Sequence, residues 1–274
     1  MSILDVPYAA PKTIIFDWHA TLVDTHDAMY YAVDEVLPKL DELGLANQLI
    51  DIKDSKTLDD AKLVKYVKDQ HKLHPKVKEA RKISRTDIFE ILFGDNKEAK
   101  NTAHKAFDHA YRNHFGKVAA FEPRFENILH DLKNMGIVLA VLTNRKREFM
   151  EKEITCVDGH DWSHFFSAVV CGDDVEHRKP YPDLILKTLE ELNIKPGTHA
   201  WYVGDSTTDI ISAREAKVTA IFYNGANWDK DWIDKIFPGT TKHPHQPDCV
   251  VNNSLELLGL AKKYLDKNSV IENS

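Results

Sequence analysis

The chain predicts an α/β fold: a parallel sheet covered by helices on both faces, with an all-helical stretch inserted into it. Three observations carry this. Short apolar runs rich in β-branched residues end in polar groups: Thr13 to Phe16 runs into Asp17, Ile137 to Leu142 into Thr143, and His199 to Val203 into Gly204-Asp205. Segments with three- and four-residue apolar spacing alternate with these runs, the pattern of buried parallel strands separated by helices. Between the first strand and the next helix of this alternation, residues 23–120 carry helical periodicity and no alternating strand.

Taken in order, Thr13 to Asp17 is the first buried strand. Val23 to Leu43 is expected to be an amphipathic helix, with Met29, Val33, Val36, Leu37, Leu40 and Leu43 on one face, a kink at Pro38 and a stop at Gly44. After a polar connector, Thr57 and Asp60 form a capping-box pattern before a helix carrying Leu58, Ala61, Val64 and Val67, broken at His74-Pro75. Ser84 or Thr86 caps a short helix over Asp87 to Phe93, and another helix is expected from Lys97 to Phe115. Pro123 opens a helix with Phe125, Ile128, Leu129 and Leu132, ended by Gly136. The second strand is Ile137 to Leu142, followed by a helix from Arg145 to about Thr155. A third strand is expected over Phe165 to Val170 and a helix over Tyr181 to Leu192. The fourth strand, His199 to Val203, precedes a helix over Asp209 to Ala216, and the fifth is Val218 to Tyr223. A long connection from Asn224 to Asp248 leads to a short edge strand, Cys249 to Val251, and a last helix over Leu255 to Tyr264, with a frayed tail from Lys267.

A chain of 274 residues can bury a substantial core, as one large domain or two smaller ones. Its net charge of −7 argues against general nucleic-acid affinity. Cys156, Cys171 and Cys249 are widely spaced and odd in number, so they form no disulfide framework, and a reducing compartment is expected. Met1 to Asp5 lacks the basic and apolar regions of a signal peptide, and no apolar run is long enough to span a bilayer. The expectation is a cytoplasmic protein without membrane or nucleic-acid partners; export without a cleaved signal stays open.

Ligands of open α/β folds gather outside the carboxyl ends of the strands. Three strand ends carry polar groups that can converge there: Asp17 with His19, Thr143 with Asn144, and Asp205 with Asp209. Arg178-Lys179-Pro180 precedes a helix. Taken singly, Asp17 can be a turn residue, Thr143-Asn144 and Asp209 can be helix caps, and Lys179 can be a solvated charge.

As a set, these stretches resemble the four motifs of the haloacid dehalogenase superfamily, in order and on the right elements, over about residues 12 to 223. The resemblance implies a Rossmann-like core, residues 1–22 and 121–274, and a helical cap, residues 23–120. It puts Asp17 at the nucleophile position, Thr143 and Asn144 at the phosphoryl-binding position and Lys179 where an ammonium neutralises the nucleophile. It also places Asp17, the backbone of His19, Asp205 and Asp209 around Mg²⁺. A carboxylate attacking a phosphate dianion meets like-charge repulsion, which a divalent cation and an ammonium relieve. The implied reaction is hydrolysis of a small phosphomonoester through an aspartyl-phosphate on Asp17.

The phosphatases of that superfamily read Asp-x-Asp-x-Thr/Val; here the stretch is Asp17-Trp18-His19-Ala20-Thr21. His19 replaces the carboxylate that protonates the leaving oxygen and activates water. An imidazole is chemically fit for that work. Three readings stay open: His19 substitutes as acid and base, it marks another chemistry such as C–P or C–halogen hydrolysis, or it marks a weakened enzyme that mainly binds phosphate. Hydrolysis of phosphonoacetaldehyde needs a cap lysine, for which Lys53, Lys56 and Lys62 are in the general region. Ala20 stands where the superfamily often has glycine.

Other features have two readings each. Lys72, Lys76, Lys78, Arg81, Lys82 and Arg85 form either a solvated face or an anion-attracting surface. Arg145 and Lys146 are solvated or touch phosphate. Trp228 and Trp232 pack or line an entrance. His243-Pro244-His245 is a loop rather than a metal site.

Overall fold

The computed structural model describes residues 9–81 and 83–272. The expectations for Met1 to Asp5 and Lys82 fall outside them. Two compact units form, one from the residues up to Asp24 together with those from Ala119, the other from Thr25–Val118.

Strand β1, Thr13–Asp17, is buried at every position. Val23–Asp24 is not the start of a helix but a short strand, β2. The helical unit follows. α1 spans His26–Val36 and gives way to a 3₁₀ turn at Leu37–Lys39, so Pro38 ends the α-helix rather than kinking it. α2 is Leu58–Gln70 and carries the expected capping box of Thr57 and Asp60. Pro75–Ala80 forms a further short helix, α3, because proline after His74 suits a first turn. α4 is Arg85–Phe93, capped by Ser84, and α5 is Lys97–Tyr111. Phe89, Phe93 and Phe107 are buried among these helices.

The chain returns through β3, Ala119–Ala120, which pairs antiparallel with β2. The expectation of helix throughout residues 23–120 is therefore wrong at its two ends. Two-residue strands carry no periodicity of their own, and their partners lie far away in sequence.

The rest of this unit alternates as expected. α6 is Phe125–Asn134, β4 Val138–Thr143 and α7 Arg147–Glu153. β5 is Ala168–Cys171, later than expected, because Ser163–Phe165 closes a 3₁₀ turn. α8 is Asp183–Glu191, β6 Ala200–Gly204, α9 Thr207–Glu215 and β7 Thr219–Tyr223. The long connection holds a helix that periodicity missed, α10, Lys230–Ile236. β8, Cys249–Val251, is the edge strand, and α11 runs through Ser254–Glu272, well past Tyr264.

The six-stranded sheet is parallel, in the order β5-β4-β1-β6-β7-β8. Side chains alternate across it. Ile15, Leu142 and Tyr202 pack with Leu184, Ile185, Ile210 and Ala213 from α8 and α9. On the other face, Phe16 meets Phe125 of α6 edge to face at 6.3 Å, and Trp201 meets Tyr264 of α11 at 5.7 Å. Each such buried side chain contributes about 1.5–3 kcal/mol of transfer free energy. β1 lies between β4 and β6, where the order of strand addition reverses; crevices form at such points. The register pairs Asp17 with Leu142 and Phe16 with Val203. Asp17, Thr143 and Asp205 thus share the carboxyl edge of the sheet.

Candidate active site

Asp17 is buried at the end of β1. Lys179 is not a solvated charge: its side chain keeps 5% of its exposure. Its ammonium donates to Asp17 Oδ1 at 2.6 Å, to Asp209 Oδ1 at 2.8 Å and to the Tyr202 hydroxyl at 3.2 Å. Tyr202 donates in turn to Asp209 Oδ1 at 2.7 Å. The loop bearing Lys179 is tied to the end of β4: Asn144 Oδ1 accepts from the Lys179 N–H at 2.9 Å, and Asn144 Nδ2 donates to the Lys179 carbonyl at 3.2 Å.

Asp209 is the third residue of α9, and Ser206 is the cap. Asp209 Oδ2 accepts from the Ser206 N–H at 3.0 Å and from the Ser206 hydroxyl at 2.6 Å. Both carboxylate oxygens are therefore engaged, one in the helix start and one with Lys179. Gly204 allows this approach, since a Cβ there would lie 2.4 Å from the Asp209 carboxyl carbon. Asp205 is less committed; its Oδ1 accepts from the Thr21 hydroxyl at 3.4 Å.

Asp17, Asp205 and Asp209 each offer an oxygen within 4.8 Å of the others. Three carboxylates face one ammonium, and the charges show in the proton affinities. Burial pushes Asp17 up to about 6, with Lys179 opposing and Asp209 adding to the rise. Burial, then Asp209 and Asp17, raise Asp205 well above the carboxylate range. Burial would raise Asp209, but the Lys179 charge and hydrogen bonds from Lys179, Ser206 and Tyr202 together hold it low. Lys179 is held above the ordinary lysine range by Asp17 and Asp209, against its own burial. An all-oxygen set with surplus negative charge suits a hard divalent cation such as Mg²⁺.

Thr143 is buried, and its Oγ1 accepts from the Arg145 N–H at 3.1 Å. It does not cap α7, whose N-cap is Lys146. His19 lies elsewhere in the charge pattern: its Nε2 is 3.2 Å from Glu153 Oε2. Glu153 also accepts from Trp18 Nε1 at 2.8 Å and from Arg145 at 2.6 Å. Burial, then the Arg145 charge, push His19 down to about 4, with Glu153 opposing.

Tyr202 and Glu153 were not among the expected site residues. Glu153 had a signal, since a carboxylate interrupts the apolar stripe of Phe149, Met150 and Ile154. Tyr202 had none, being one more aromatic in a buried strand. Of the other features, Lys78, Arg81 and Arg85, three of the six residues in the basic cluster, are paired with Asp34, Asp27 and Asp108 within its unit. Arg145 is engaged with Glu153. Trp228 and Trp232 stack on each other, ring centroids 4.8 Å apart, and remain 43% and 38% exposed. His245 meets Glu215 at 2.8 Å. Lys53, Lys56 and Lys62 are exposed and each lies near a carboxylate. Among the described residues, no helix is long and apolar enough to cross a membrane.

The model of the haloacid dehalogenase-like hydrolase family matches residues 14–223, from β1 through β7. The chain belongs to that family. Its sequence is 28% identical over 224 residues to a phosphoglycolate phosphatase of Psychrobacter arcticus, covering 80% of this chain and 86% of that protein. It is 30% identical over 133 residues to the pyrophosphatase PpaX of Oceanobacillus iheyensis, covering 48% of this chain and 59% of that one. The fold is similar to that of a haloacid dehalogenase-like hydrolase from Streptococcus pneumoniae, with a TM-score of 0.62, 17% identity, and 92% and 98% of the two chains covered. This family member is thus a hydrolase built on a parallel sheet, with Asp17, Thr143, Lys179 and Asp205 close to the carboxyl ends of adjacent strands.

Proposed function

We propose that this hydrolase cleaves small phosphomonoesters, depends on Mg²⁺, and works through an aspartyl-phosphate on Asp17. The observation that carries the reading is the buried cluster in which Lys179 bridges Asp17 and Asp209 while carboxylates outnumber the ammonium. The names of the relatives support a phosphorylated substrate.

Asp17 is the nucleophile. Its carboxylate attacks phosphorus and the phosphorus–ester oxygen bond breaks, the leaving oxygen taking a proton from solvent; water, giving a proton to His19, then cleaves the aspartyl-phosphate. Lys179 neutralises Asp17 and the transferring group, held in place by Asn144 behind it. Thr143 uses its hydroxyl proton on a phosphoryl oxygen, since its oxygen already accepts from Arg145. Asp17, Asp205 and the His19 backbone carbonyl would hold Mg²⁺, with Asp209 in support through Lys179 and the start of α9. When bound, the ion supplies positive charge against the repulsion between Asp17 and phosphate. His19 is the base beside the nucleophile.

Phosphate release from a panel including 2-phosphoglycolate and pyrophosphate, with Mg²⁺ and with chelator, tests this. Metal-dependent release, lost at least about 10³-fold in Asp17→Asn, is expected. A wild type silent on the whole panel but active as His19→Asp would replace hydrolysis with phosphate binding as the function.

A further inference from the structure

The Glu153 carboxylate sits at the C-terminal end of α7 with no solvent exposure of its side chain. A buried carboxylate is costly unless its lone pairs are satisfied. Glu153 receives Trp18 Nε1 and His19 Nε2 on one oxygen and Arg145 on the other. The indole is a donor only, and the guanidinium keeps its charge. Both Glu153 oxygens thus already accept from obligate donors, so the carboxylate presents an acceptor to His19. The 3.2 Å contact with His19 is then a hydrogen bond only if the imidazole proton resides on Nε2. Nδ1 is left as the nitrogen with a free lone pair.

We propose that Glu153 is a positioning residue that fixes His19 as the Nε2–H tautomer, leaving Nδ1 as the proton-accepting atom of the base. Trp18, adjacent in sequence and fully buried, shares the same oxygen and holds the carboxylate in register with the loop after β1. A carboxylate on α7 and an imidazole on that loop thus form a matched pair. The role in turnover rests on the phosphatase reading; the tautomer does not.

Two measurements separate these. Nitrogen-15 spectra of metal-free protein at pH 7, with His19 assigned by difference against His19→Asn, report the tautomer directly. A pyrrole-type shift at Nε2 and a pyridine-type shift at Nδ1 are expected, and Glu153→Gln should move both toward the averaged values of a free imidazole. In the phosphate-release assay, Glu153→Gln should lower kcat on the order of 10²-fold with KM little changed, as loss of an oriented base requires. A wild-type spectrum showing Nδ1–H or an averaged ring overturns the proposal, whether or not Glu153→Gln folds. So does a folded Glu153→Gln protein with unchanged His19 shifts or unchanged kcat. A wild type without phosphate release defeats the phosphatase reading alone, and the spectrum still decides the tautomer.

Discussion

Asp17 and His19 are two residues apart, yet they belong to opposite kinds of charge cluster. Around Asp17, one ammonium serves carboxylates that outnumber it, so negative charge is left over. Around His19, one carboxylate is met by donors from Trp18, Arg145 and the imidazole itself. The first cluster keeps surplus carboxylate charge; in the second, the carboxylate's two oxygens are both met by donors. Burial moves both proton affinities against the charged form, so they shift in opposite senses, with Lys179 opposing the one and Glu153 the other: Asp17 rises to about 6, and His19 falls to about 4. The lesson is that a short loop can hold an unbalanced site steady when its next side chains are locked into a balanced one.

The most disruptive test removes the Lys179 ammonium. Lys179→Met leaves Asp17 and Asp209 buried without their partner, which should cost about 3 kcal/mol or more of stability. Urea unfolding with chelator present measures it, and phosphate release should fall with it. A stable, active Lys179→Met would mean that the cluster around Asp17 is not organised by that charge.

The second test reads the His19 cluster through pH. The folded state holds His19 near 4, below the 6.5 of an exposed imidazole. Its stabilising contribution is therefore complete above about 6.5 and is lost as pH falls toward 4. Asp17 acts the other way: its folded value exceeds 3.8, so its contribution falls as pH rises from about 4 to 6. In metal-free protein, wild type should lose stability relative to His19→Gln as pH drops from 6.5 to 4. The His19 side chain keeps 25% of its exposure, so water limits the size of the effect. A constant difference between the two proteins across this window would show that His19 titrates as it does in water.

The smallest effect concerns the turn beyond both clusters. Ala20 has φ of +57°, in the left-handed region that favours glycine. Ala20→Gly should stabilise by roughly 0.5–1 kcal/mol, the relief of strain less the entropy glycine loses on folding. That corresponds to a rise of about 2 °C in Tm, read by calorimetry. A fall in Tm would mean that the alanine methyl packs usefully in the turn.

The sequence by itself determined the alternation of strands and helices, the helical insertion, and the strand-end positions of Asp17, Thr143 and Asp205. These follow from local periodicity and from where apolar runs stop, which neighbouring residues decide. It also singled out His19 as a departure. Tertiary structure alone decided what each polar group meets. β2 and β3 find each other across the whole helical unit. Lys179 reaches Asp17 across 162 positions, and Trp18 reaches Glu153 across 135. Tyr202 joins the site only because β6 lies beside β1. Charge pairing depends on distance in space, and the sheet order, not sequence spacing, sets that distance.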